Sequence, residues 1–223
     1  MVLEFFRGGS EGGLEQIAAS VAEMLTECRH TFDLAAGAVF GGGDPAAVGP
    51  EIRSTDRGVN KRERAVRKAL VVHVSVHGTR TDLPLVLTTM SIVKDAERIG
   101  DYAKNVWDLA NAGVDFSGDP DIDRLKEFRN RTSRLIAETA RIFSDRDAVA
   151  AHELIQQADV WQDEYDVYID EQVESSEPAR IAVPRALLAR YLKRITAHAV
   201  NVLTSLVMPL HRLDYYDEDK ADR

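Results

Sequence analysis

The sequence predicts an all-α fold of six helices, arranged as two tandem three-helix bundles. Between residues 85 and 110, apolar and small residues recur at alternating spacings of four and three, which is typical of a bundle helix. A break rich in glycine and aspartate, at 113–120, separates three helical segments from three more. The third segment, shifted by 96 residues, also lands on the sixth with its apolar pattern intact. The chain is therefore predicted to be one three-helix unit in duplicate.

The first half begins with a predicted tail at 1–13, followed by helix one at 14–40, where the apolar spacing is helical. Three glycines then form a turn, because the Gly-Lys-Ser/Thr that completes a phosphate-binding loop does not follow them. Helix two is expected at 50–77, with Pro50 at its first position, and helix three from Asp82 to about residue 112. The first repeat therefore spans 14–113.

The second half is predicted to span 119–213. Asp119 and Pro120 are expected to be a helix cap and a first-turn proline. Helix four follows at 121–143, helix five at about 145–173, and helix six after the turn at 175–178, ending near residue 213. Residues 214–223 read as an acidic tail.

The repeat is altered at two charged positions. Five of the fifteen residues from 92 to 106 are identical to their counterparts 96 positions later, but Glu97 corresponds to Lys193 and Asp101 to Ala197. Helix five repeats the acidic pattern of helix two. We expect its carboxylates to face Lys193 and form a salt bridge there; they are Asp159, Asp163 and Asp166.

Composition restricts the class of partner. The net charge of the 223 residues is −9 and the isoelectric point is near 5.2, which argues against binding nucleic acid or anionic lipid. The single cysteine, Cys28, fits a reducing compartment and lies on the apolar stripe, so it is predicted to be buried. No apolar run approaches the roughly 20 residues that span a bilayer. The protein is therefore predicted to be cytoplasmic, without membrane insertion.

The third helix carries two carboxylates one turn apart. By the helical period, Glu97 and Asp101 fall opposite the apolar seam and are expected to be exposed. In helix two, Asp56 and Glu63 lie near the apolar side and need a cation, a hydrogen bond or a metal. Arg67, four residues after Glu63, is one local cation.

The stretch KDAERIGDYAKN, residues 94–105, resembles the signature of the PhoU family of phosphate-signalling proteins. The pattern Asp56-x-x-Val59-Asn60-x-x-Glu63 resembles the second helix of the PhoU repeat. The resemblance implies two three-helix bundles with a metal site of iron, manganese or magnesium. Because the second repeat lacks the pair, the expected ligands lie in the first; they are Glu97, Asp101, Asp56 and Glu63. The other family-motif positions are Asp95, Arg98, Asn60 and Asn105.

The sequence contains no nucleophile elbow, paired Cys and His, complete metal-hydrolase motif or dinucleotide loop, so a binding protein is predicted and not an enzyme. The PhoU resemblance implies a homodimeric regulator that links a phosphate ABC transporter to a sensor histidine kinase and damps the phosphate-starvation response. Two alternatives stay open. One is a regulator of a sodium–phosphate or potassium transporter, and the other is a carboxylate-bridged metal enzyme.

Overall fold

The computed structural model describes residues 10–41, 43–78, 81–213 and 215–217, and within these ranges it contains helices and no strand. The all-α prediction is confirmed. The six helices are α1 Ser10–Val39, α2 Pro45–His77, α3 Leu83–Asn111, α4 Ile122–Asp145, α5 Ala148–Glu174 and α6 Ala179–Val207. Two short 3-10 turns follow at Leu210–Arg212 and Tyr215–Asp217.

The helices form two three-helix bundles that share one core. Helices α1, α2 and α3 pack together, as do α4, α5 and α6. The bundles join where α3 packs on α6 and α1 packs on α4. Apolar side chains from all six helices form one continuous buried cluster, so burial of apolar surface holds the two halves together as well as each half separately.

Helix α1 begins at Ser10, four residues before the predicted start, so residues 10–13 belong to the helix. The rest of the predicted tail, residues 1–9, lies outside the described residues. At the other end, α6 stops at Val207 and not near residue 213. Of the predicted acidic tail, only residues 215–217 are described, and Tyr216 packs against the core.

The start of α2 was predicted wrongly. Pro45, and not Pro50, begins the helix, and the Asp44 side chain caps it by accepting a hydrogen bond from the Ala46 N–H at 2.9 Å. The Trp107 indole N–H of α3 donates to the Pro45 carbonyl at 2.9 Å, and Gly49 lies against the same ring. These contacts with α3 stabilise an additional turn of helix before Pro50. Pro50 therefore lies inside α2, where it removes one backbone hydrogen bond.

The predicted start of α4 at residue 121 lies within one residue of the observed start, but the predicted cap, Asp119 followed by a first-turn Pro120, was wrong. Asp119 precedes the helix by three residues, and its carboxylate accepts from the Asp121 N–H at 2.8 Å. The same carboxylate binds the buried Arg185 of α6 through two hydrogen bonds of 2.9 and 2.7 Å. Asp119 therefore ties the connection between the repeats to α6, and α4 begins only at Ile122.

Contacts between α3 and α6 follow the internal repeat. In the 96-residue register, Asp95 corresponds to Tyr191 and Tyr102 to His198. The His198 ring lies 2.9 Å from the Asp95 carboxylate, and the counterpart pair, Tyr191 and Tyr102, has ring centroids 6.2 Å apart. Tyr102 and His198, which correspond to each other, stack between these pairs at 5.8 Å. Equivalent helices of the two repeats thus meet face to face about an approximate two-fold axis.

Candidate functional site

Glu97 is buried, and its predicted exposure was wrong. Because α1, α2 and α6 all pack on α3, little of the α3 circumference faces water, and Glu97 keeps only 6% of its surface exposed. The Lys94 ammonium, one turn earlier, lies 2.6 Å from the Glu97 carboxylate. This distance defines an ion pair, although the contact is not aligned as a hydrogen bond. A carboxylate this deeply buried needs such a partner.

Asp101 is half-buried next to Glu97, with the Arg98 guanidinium 3.4 Å from its carboxylate. Burial is the main reason that the pKa of Asp101 is raised, and the negative charge of Glu97 raises it further. The charge of Asp56 acts in the same direction, whereas Lys104 and Arg98 oppose it. Glu97, Asp101 and Asp56 are therefore electrostatic neighbours across the α2–α3 contact. We call them the carboxylate cluster.

Asp56 contributes to this cluster from α2. The Lys104 ammonium of α3 lies 3.7 Å from its carboxylate, and the Asn60 side chain donates to the Asp56 backbone carbonyl at 2.9 Å. The fourth predicted ligand, Glu63, lies about two turns further along α2. It is buried and paired with Arg67 at 2.9 Å, so the predicted Arg67 partner is confirmed.

The cluster is held by cations in this arrangement. Each of its carboxylates has a lysine or arginine within 4.0 Å. Among the described residues, no three His, Cys, Asp or Glu side chains are grouped closely enough to hold a metal ion. Carboxylate oxygens are the donors that iron, manganese and magnesium prefer, so the donor chemistry fits these ions while the geometry is that of an ion-pair cluster. Metal binding stays a prediction.

The remaining family-motif positions take different roles. Asp95 faces away from the cluster and is buried against α6, where His198 and Asn201 contact its carboxylate at 2.9 and 3.2 Å. Arg98 pairs with Asp101, and Asn105 is partly exposed. Asp95 therefore joins the two repeats. No local pattern in the sequence predicts this role, because the partners of Asp95 are more than 100 positions away.

The second repeat replaces the pair with an ion pair of its own. The Lys193 ammonium contacts the Asp166 carboxylate, as the altered repeat predicted. Two carboxylates of the first repeat, each paired with a cation, thus correspond to one ion pair between Lys193 and Asp166 in the second. Each carboxylate in these pairs is matched by one cation.

The cluster rests on a close approach between α3 and α1 at Gly100. A Cβ added to Gly100 would lie 3.1 Å from the Cys28 sulfur. Cys28 is fully buried, and its thiol donates to the Ala96 carbonyl at 3.3 Å. Burial raises the pKa of this thiol, so it is an unreactive core group, as its place on the apolar stripe predicted.

One pair of neighbouring histidines on α2 was not predicted from the sequence. His73 and His77 lie one turn apart on α2 with ring centroids 4.3 Å apart, and His73 is buried. Burial, followed by the charge of His77, lowers the pKa of His73. The signal was available as a four-residue spacing, which places two side chains on one helix face.

The fold and the carboxylate cluster define a class: paired three-helix bundles whose first repeat carries buried, charged motif residues. Residues 21–110 match the family model described as the PhoU domain. A curated relative, the phosphate-specific transport system accessory protein PhoU homolog of Synechocystis, is 26% identical over 124 residues. That match covers 54% of this chain and 55% of the relative, so it spans about half the relative's length.

Solved PhoU structures share the fold over nearly the whole chain. The Pseudomonas aeruginosa PhoU superposes with a TM-score of 0.75 at 21% identity, covering 89% of this chain and 97% of that one. The phosphate transport system regulatory protein PhoU of Streptococcus pneumoniae gives 0.78 at 17% identity, covering 92% and 97%. These solved structures show that the chain has the fold of PhoU proteins, and the PhoU domain match lies within its first repeat.

Proposed function

We propose that this protein regulates phosphate uptake and phosphate-starvation signalling, as an adaptor between a phosphate transporter and a sensor kinase. One observation carries the proposal: the PhoU domain match at 21–110 contains the carboxylate cluster and nearly all of α2 and α3. The named function of the Synechocystis relative, an accessory protein of phosphate-specific transport, supports phosphate as the regulated solute.

A binding role fits the chemistry of the side chains better than catalysis does. The single thiol is buried, and its raised pKa keeps it protonated. The cluster carboxylates are paired with cations, which holds them in place. Long helices that pack against each other present rigid, charged outer faces, and such faces suit recognition of partner proteins.

We further propose that the carboxylate cluster of the first repeat binds a metal ion. Iron, manganese or magnesium would compete with Lys94, Arg98 and Lys104 for the carboxylates of the cluster. The negative charges of Glu97 and Asp56, which both act on Asp101, support this, because a multivalent cation gains more from several carboxylates than separate monovalent ammonium groups do. The second repeat offers no comparable cluster at the matching place, since Lys193 replaces the glutamate.

Metal analysis of untagged protein tests this expectation. Protein purified without chelator is expected to retain iron, manganese or magnesium, and the Glu97→Gln/Asp101→Asn variant is expected to lose it. The control is Glu153→Gln/Asp170→Asn, which removes the same charge from exposed positions of α5. Equal metal content in the wild type and both variants would refute the assignment to the first repeat.

Genetics tests the regulatory role separately from the metal. Deleting the gene is expected to induce phosphate-starvation genes while phosphate is plentiful, and the wild-type chain is expected to restore repression. The Glu97→Gln/Asp101→Asn variant is expected to restore it poorly, and the α5 control fully. If the deletion leaves phosphate responses unchanged and alters sodium-coupled or potassium transport, the regulator acts on another transporter. Pull-downs from phosphate-replete and phosphate-starved cells would identify the transporter and the kinase.

A further inference from the structure

The outer face of α2 carries a row of cations, which we call the basic stripe: Arg53, Arg57, Lys61, Arg64 and Lys68. All five residues are exposed. The spacings of three and four residues place them on one side of the helix, opposite the buried residues that face the core. The row extends over 16 residues, and the 15 steps from Arg53 to Lys68 rise about 22 Å at about 1.5 Å per residue.

The stripe is not neutralised by the rest of the described chain. Arg53 stacks over the Trp107 ring at 5.1 Å, whereas the other four cations contact no carboxylate of the described residues within 4.0 Å. The one exposed carboxylate of α2, that of Glu51, is bound to His30 at 2.7 Å. A chain with a net charge of −9 thus leaves one helix face entirely basic.

Exposed apolar side chains lie near the end of the first bundle where α2 connects to α3, and one of them, Val71, continues the stripe. Val71 lies 18 residues after Arg53, which is five helical turns, so it continues the same face. Val71 is 59% exposed and Val76 55%; Leu83 and Leu87, at the start of α3, are 50% and 45% exposed. We call these four residues the apolar tip. Leaving them in water costs free energy, which indicates a contact surface.

We propose that the basic stripe and the apolar tip dock on an anionic phospholipid surface. Cations near such a surface gain from its negative potential, and apolar side chains gain by entering the region between headgroups and acyl chains. A straight row on one convex helix matches a flat anionic plane. The protein would lie on the membrane without crossing it, since no described helix is long and apolar enough to span a bilayer.

Lipid fits these two features better than nucleic acid does. A nucleic acid would use the cations but offers no burial for the apolar tip. The excess of acidic residues elsewhere on the chain would also repel a polyanion that wraps around the protein. A plane that touches only the α2 face avoids most of that repulsion, because separated charges are screened within about 8–10 Å at physiological salt. The negative net charge of the whole chain is therefore compatible with a local basic surface on α2.

The proposal goes beyond phosphate regulation and does not rest on it. A regulator that lies on the membrane would be concentrated beside any transporter embedded there. The binding test below contains neither a transporter nor phosphate. It can therefore fail while the regulatory role stands, and it can succeed if that role is wrong.

Vesicle co-sedimentation of the full chain tests the proposal. Vesicles of phosphatidylcholine with about one third phosphatidylglycerol are expected to bind the protein, and binding is expected to fall steeply as salt rises. Pure phosphatidylcholine vesicles are expected to bind it weakly. Removing three cations with Arg57→Gln/Lys61→Gln/Arg64→Gln should weaken partitioning by about a hundredfold, at about fivefold per cation. All three side chains are exposed, so the variant is expected to keep its far-UV circular dichroism spectrum.

A control variant separates the stripe from net charge. Lys126→Gln/Arg134→Gln/Arg190→Gln removes three exposed cations from α4 and α6 and should leave vesicle binding nearly unchanged. Equal weakening by the two triple variants would overturn the assignment to α2. So would a wild-type chain that ignores anionic vesicles, or one that prefers single-stranded DNA to vesicles at matched phosphate concentration. That last result would identify the stripe as a polyanion site instead.

Discussion

Replacing Gly100 by alanine tests how closely α3 packs on α1 beneath the carboxylate cluster. The added Cβ would lie 3.1 Å from the Cys28 sulfur and 3.8 Å from Val59 Cγ1. The sulfur is fully buried and bonded to the Ala96 carbonyl, so it has little freedom to move away. Gly100→Ala is therefore expected to be destabilising, even though it lies inside a helix.

Two opposing contributions set the magnitude. Alanine is favoured over glycine in a helix interior by about 1 kcal/mol. Overpacking a close contact costs about 1–3 kcal/mol. The net change in the free energy of unfolding is then a loss of about 0–2 kcal/mol. Once Cys28→Ala removes the sulfur, the overpacking cost disappears, and the same Gly100→Ala change should stabilise by about 1 kcal/mol.

The assay is urea unfolding followed by far-UV circular dichroism for the wild type, both single variants and the double variant. The coupling energy between the two sites is expected to be about 1–3 kcal/mol, equal to the overpacking cost. Gly58→Ala is the control, because Gly58 lies in α2 and its added Cβ would meet no atom within 4 Å. That change should stabilise by about 1 kcal/mol. A Gly100→Ala effect that is the same with and without the sulfur would refute the reasoning.

Three further changes have expected outcomes. Asp119→Asn leaves the Arg185 guanidinium buried without its carboxylate and should lower the free energy of unfolding by about 3 kcal/mol, and a loss below about 1 kcal/mol in urea would contradict this. Because the folded-state pKa of Asp101 is raised, its ionisation opposes folding as pH rises above about 3.9, the unfolded value. Asp101→Asn should therefore raise the melting temperature at neutral pH and change it little near about pH 3, and an equal shift at both pH values would argue against the pKa direction. Ala103→Asp places a charge at a fully buried seam position and should cost several kcal/mol, so a variant that stays folded with wild-type urea stability would disprove the packing there.

Helical periodicity located the described helices but not every boundary. The seam around Ile92, Ile99 and Ala103 is fully or almost fully buried, as its spacing predicted. The start of α2 and the cap of α4 were predicted wrongly, because tertiary hydrogen bonds hold the residues concerned. The Trp107 indole N–H donates to the Pro45 carbonyl in the first turn of α2. The Asp119 carboxylate accepts from Arg185 of α6.

The sequence by itself determined the six-helix fold and the equivalence of α3 and α6 in the internal repeat. It also determined the burial of Cys28 and the ion pair between Lys193 and Asp166. Each of these depends on residues at fixed spacing or on one matched pair between the repeats, and spacing is visible in the chain. Only the tertiary structure decided that Glu97 is buried and that Asp95 faces the other repeat. A helical period assigns a residue to a face, but the number of helices that cover that face depends on how all of them pack. Since α3 is packed by three neighbours, a position that the period placed in water lies inside the protein.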